Sequence, residues 1–91
     1  MRKEYQSISL PNGERAIVFD WMDGPRPDRN LVCTKPDGGV KWVAELPTTD
    51  PIDCFVGVRQ DQDSLLANTM SGYAVWIDSV TGKTLRSQFT K

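Results

Sequence analysis

The stretch Ser64–Phe89, SLLANTMSGYAVWIDSVTGKTLRSQF, constrains this chain more than any other. Its apolar and β-branched residues fall in runs too short for a free-standing helix. The pairs Ser71-Gly72 and Thr81-Gly82 divide those runs with turn chemistry. The pattern predicts three successive strands, Leu65–Met70, Tyr73–Asp78 and Lys83–Phe89. A helix capped by Asp63-Ser64 and stopped at Gly72 competes for the first of these. It would be barely two turns with Asn68 and Thr69 inside, so strand is the better reading.

The rest of the chain reads the same way. Tyr5–Leu10 is a strand candidate ended by the turn signal Pro11-Asn12-Gly13. Arg15–Trp21 is apolar on both faces and is expected in a sheet interior. Two prolines and a glycine exclude regular structure from Met22–Arg29. Asn30–Thr34 and Val40–Leu46 flank a hairpin turn in Lys35–Gly39, KPDGG. Val40, Trp42, Ala44 and Leu46 share one face, as in a half-buried strand. Pro47–Pro51 looks like a linker, and Cys54–Gln60 is the next strand, with Gly57 marking a bulge or close approach. The expected core is Val18, Phe19, Trp42, Val75, Ile77 and Leu85.

Eight short strands, four on each side of Pro47–Pro51, give one all-β domain over residues 1–91 with possible repeat halves 4–46 and 53–90. Sliding the first half onto the second by 43 residues sets Gly39 on Gly82 and Val32 on Val75; a slide of 44 sets Gly38 on Gly82 instead. The expected fold is two four-stranded antiparallel sheets.

Composition narrows the function classes. With 91 residues the chain buries only about 60% of its unfolded surface, so its core is thin. The net charge is −1 and the basic residues are scattered, which argues against nucleic acid as a partner. No segment has the apolar length of a membrane span, and Met1–Ser7 does not open a signal peptide; the expectation is no membrane partner and a cytoplasmic location. There the two cysteines, Cys33 and Cys54, are expected as buried free thiols. The chain has no histidine, which removes the usual general base, zinc ligand and nucleophile activator.

Gly72–Gly82, GYAVWIDSVTG, followed by Lys83-Thr84-Leu85, resembles the repeat of pyrroloquinoline-quinone-type β-propellers. There a strand ends in Asp-x-x-Thr-Gly and the next strand usually carries a Trp. Asp78, Thr81 and Gly82 match; the Trp position is Arg86, and Trp76 stands where the family usually has a small residue. The first half keeps a Gly and Trp42 but lacks the Asp-x-x-Thr-Gly motif. The resemblance implies blade-like sheets. It does not extend to quinone binding, and no cofactor is expected. Two blades do not close a ring, so the sheets either pack as a small sandwich or barrel or join an oligomeric propeller.

Candidate site residues follow from loop and surface chemistry. Arg26, Asp28 and Arg29, on the proline-stiffened loop 23–29, suit an anion, a sugar or a protein partner. Trp76 suits stacking on a ligand, although tryptophans in a thin core are more often buried. Asp61, Asp63 and Ser64 offer hard oxygens for Ca²⁺ but lack the glycine and distal Glu of a calcium loop. No metal and no catalytic residue is expected. The function expected is a non-catalytic binding or interaction module. A small carboxylate-dependent enzyme is the alternative. Open sheet edges and a thin core predict a homo-oligomer, with a further protein or a carbohydrate as the possible ligand.

Overall fold

The structure, a computed structural model, describes residues 3–22, 29–50 and 52–90. Eight strands follow in chain order: β1 (Glu4–Ser9), β2 (Arg15–Phe19), β3 (Leu31–Thr34), β4 (Val40–Val43), β5 (Phe55–Asp61), β6 (Ser64–Thr69), β7 (Tyr73–Asp78) and β8 (Thr84–Phe89). They form two antiparallel four-stranded sheets, β1-β2-β3-β4 and β5-β6-β7-β8, each in sequence order. The fold is all-β, and among the described residues no helix is long and apolar enough to cross a membrane. The segment beginning at Ser64 is a strand, because β5 and β7 pair with its two edges and leave no room for a helix.

The two hairpins β3–β4 and β7–β8 turn alike. Lys35 N donates to Gly39 O at 2.7 Å and Gly38 N to Lys35 O at 2.9 Å; Asp78 N donates to Lys83 O at 2.9 Å and Gly82 N to Asp78 O at 2.8 Å. Lys35 and Asp78 therefore hold the same place, and Gly38 and Gly82 both adopt positive φ. The later turn is one residue longer, so the slide is 43 before the turn and 44 after it. Each hairpin also carries a bulge. The pairing skips Lys41 between Val40 and Trp42, and Leu85 between Thr84 and Arg86.

These equivalences fix how the sheets stack. Cys33 pairs with Trp42 and Trp76 with Arg86, so these two pairs correspond. Cys33 and Trp42 are buried in the core between the sheets, whereas Arg86 is exposed and Trp76 half-buried. Conversely, Val75 and Ile77 are in the core while their counterparts Val32 and Thr34 lie on the first sheet's other face. The sheets stack front to back: the front of the first covers the back of the second.

The core joins Ala16, Val18, Leu31, Cys33 and Trp42 to Phe55, Val58, Leu65, Ala67, Val75 and Ile77. Each large member contributes about 1.5–3 kcal/mol by leaving water. Two expected core residues stand elsewhere. Leu85 is 58% exposed: β8 is an edge strand exposed along its whole length, and the bulge makes Leu85 its extra residue, outside the strict alternation. Phe19 is half-buried at the end of β2.

Side-chain amides complete the stacking. Asn30 is fully buried; its Nδ2 donates to the carbonyls of Phe55 (2.7 Å) and Phe19 (3.0 Å), and its Oδ1 accepts from Phe55 N at 2.9 Å. Gln6 does the same one step along, with Nε2 donating to Val58 O at 2.7 Å and Oε1 accepting from Val58 N at 3.1 Å. At Phe55 and Val58 the outer edge of β5 is thus paired by two side-chain amides rather than by a strand.

The connection between the sheets is tied down at Asp53, which is 2% exposed. Its carboxylate accepts from Thr48 Oγ1 (2.7 Å), Ser71 Oγ (2.8 Å), Cys54 N (3.0 Å) and Ser71 N (3.1 Å). Burial alone would raise its pKa. The hydrogen bonds from Thr48, Ser71 and Cys54 outweigh that and hold it below the ordinary aspartate value.

Candidate functional site

Among the described residues no sheet lies on the front of the second sheet, and one row of side chains crosses all four of its strands. Arg59 pairs with Leu66, Leu66 with Trp76, and Trp76 with Arg86. Leu66 is only 8% exposed, although no second sheet covers this face.

Trp76 is fixed from two directions. Its Nε1 donates to Asp61 Oδ2 at 3.0 Å, and the Arg86 guanidinium carbon lies 3.8 Å from the ring centroid. Beside it opens a cleft of about 570 Å³, lined by Asp61, Asp63, Trp76, Val80, Leu85 and Arg86 among others. The Leu85 bulge supplies an apolar wall that a regular strand would have turned away. Asp78 closes one end, with Oδ1 accepting from Val80 N (2.8 Å) and Thr81 N (3.2 Å).

The candidate residues do not converge. Arg26 and Asp28 lie outside the described residues. Arg29 is exposed beside a separate cavity of about 360 Å³, lined with Ala44, Leu46, Thr48 and Asp50. Trp76 alone of the four stands in the 570 Å³ cleft. Sequence reasoning missed Arg86 and Leu85 as its companions, because the bulge that sets both beside Trp76 leaves no sequence mark. Asp61 was legible as a candidate oxygen ligand, not as the acceptor that holds the Trp76 indole. Among the described residues no cluster of three or more His, Cys, Asp or Glu is arranged to hold a metal.

Cys33 and Cys54 are both free and buried. Burial, reinforced by the Asp53 charge, pushes the Cys54 thiol up to about 11. Burial also raises Cys33, with Glu14 adding to it and Lys41 opposing.

A profile of the family described as "Domain of unknown function (DUF7957)" matches residues 3–89. The chain belongs to the DUF7957 family. No curated protein and no solved structure matches it. In this DUF7957 chain the matched region takes in both sheets, so the front-to-back pair lies wholly within the family's own unit.

Proposed function

We propose that the protein is a non-catalytic protein-interaction module that works as a homo-oligomer through the front of its second sheet. The row Arg59–Leu66–Trp76–Arg86 carries this reading. It is a fixed aromatic–cation surface at the position where the first sheet is covered by its neighbour. Trp and Arg are the side chains most often found at the energetic centre of protein interfaces. Arg86 already lies over the Trp76 ring, which favours a protein partner over a stacked sugar. The carboxylates nearest Trp76 and the turn are engaged, Asp61 by the indole and Asp78 by two amides, which favours binding over acid–base chemistry.

The same reading takes the two sheets as propeller-like repeats. Trp42 of one sheet lies on Gly82 of the next, and this contact supports the blade-like reading, although the strand position where the family usually has its Trp is Arg86 here. Two unpaired buried thiols accord with a reducing, cytoplasmic setting. Light scattering at tens of micromolar is expected to return a multiple of the 10.2 kDa chain mass. A single-chain mass overturns the homo-oligomer.

A further inference from the structure

The junction inside the chain shows what fits the face left open outside it. There the Asp78–Gly82 turn of the second sheet sits on the front of the first. Trp42 Nε1 donates to Ser79 O at 3.0 Å, and the Trp42 ring lies where a Cβ on Gly82 would come within 2.6 Å. With the turn in place, a groove of only about 170 Å³ remains between Leu10, Glu14, Lys41 and Val80. On the second sheet the positions matching Leu10, Lys41 and Trp42 are Asp61, Leu85 and Arg86. They border the open cleft of about 570 Å³. The turn matching Asp78–Lys83 is Lys35–Gly39, which is exposed throughout. A Cβ on Gly38 would meet nothing within 4 Å, so the spot that Trp42 covers on Gly82 is bare here.

We infer that the Lys35–Gly39 turn of a second copy of this chain docks in the Trp76–Arg86 cleft, so that copies associate front to back. This rests on the reading that the protein self-associates through that face. The back of the first sheet suits the role. Val40 is 60% exposed there, with half-buried Val43 beside it, and the equivalent face of the second sheet is covered within each chain. In the contact Arg86 stands in for Trp42, its guanidinium offering donors to the Pro36 carbonyl and the Asp37 carboxylate. A front-to-back contact is heterologous: it leaves a free front and a free back, and it ends in a closed ring or an open filament.

A charge swap read by light scattering at tens of micromolar tests this. Arg86→Asp spoils only the front and Asp37→Arg only the back, so each variant alone is expected at single-chain mass. Mixing the two is expected to restore the wild-type mass. The acidic front of one variant then meets the basic back of the other, and the two unaltered surfaces, Arg86 and Asp37, meet at the alternate junctions. If Asp37→Arg keeps the wild-type mass while Arg86→Asp loses it, the partner's turn is not the occupant and the inference falls, with self-association through the cleft still standing. A wild-type protein of single-chain mass overturns both. Leu85→Glu and Val40→Glu, at exposed residues of the front and back, repeat the comparison if either charge variant melts early.

Discussion

Asn30 and Phe55 meet as two strand residues would, although no strand joins them. The Asn30 amide accepts from Phe55 N at 2.9 Å and donates to Phe55 O at 2.7 Å, in a fully buried position. Asn30→Ala leaves both backbone groups of Phe55 without partners. At about 1–3 kcal/mol for each orphaned buried group, urea titration is expected to show a loss of about 2–6 kcal/mol. A loss below about 1 kcal/mol would mean that water replaces the amide.

Gly82 and Gly38 form a matched pair for separating backbone strain from close contact. Both have positive φ, at 77° and 93°, so alanine at either adds about 1–2 kcal/mol of left-handed strain. Only at Gly82 does the new Cβ strike the Trp42 ring, at 2.6 Å. Gly82→Ala is therefore expected to lower stability by clearly more than Gly38→Ala, by about 1–3 kcal/mol of overpacking. Equal losses would show that Trp42 swings aside freely.

Asp53 gives the protein an acid limit. Its folded pKa lies below the ordinary value, so its stabilisation is in full force above about pH 4, where the unfolded-state carboxyl is ionised. It is lost as the pH falls further, through the folded value. Denaturant midpoints are expected to fall more steeply below about pH 4 for the wild type than for Asp53→Asn. Parallel curves would assign the acid limit to other carboxylates.

Both thiols are expected to resist aromatic disulfide reagents in the native protein at pH 8 and to react fully in denaturant. Burial keeps them protonated and out of reach, and Cys54, near 11, holds its proton across the physiological range. Two fast thiols in the folded protein would contradict the buried positions of Cys33 and Cys54.

Truncations should separate the strand that is core from the one that is edge. In the Asp37→Arg background, where single chains leave the cleft open, Ile77→Ala is expected to cost about 2–5 kcal/mol, while Leu85→Ala, outside the core, should stay within about 0.5 kcal/mol. A large loss at Leu85 in that background would mean that the cleft wall packs within the chain.

The eight strands, their turns and the division into two groups of four were legible in the sequence, because period-2 alternation and turn chemistry are properties of neighbouring residues. Trp42, Val75 and Ile77 could be read as core for the same reason. What only the tertiary structure decided was which face of each sheet is covered. A strand has two faces, and the front-to-back stacking that buries Val75 and Trp42 while leaving Trp76 and Arg86 outside depends on contacts more than thirty residues apart in the chain. The Leu85 bulge moved one residue off its expected face, and the Lys41 bulge likewise put Val40, expected beside Trp42, on the opposite face. Asn30, Gln6 and Asp53 looked like ordinary polar residues, since the backbone groups they satisfy belong to segments that come together only when the sheets stack.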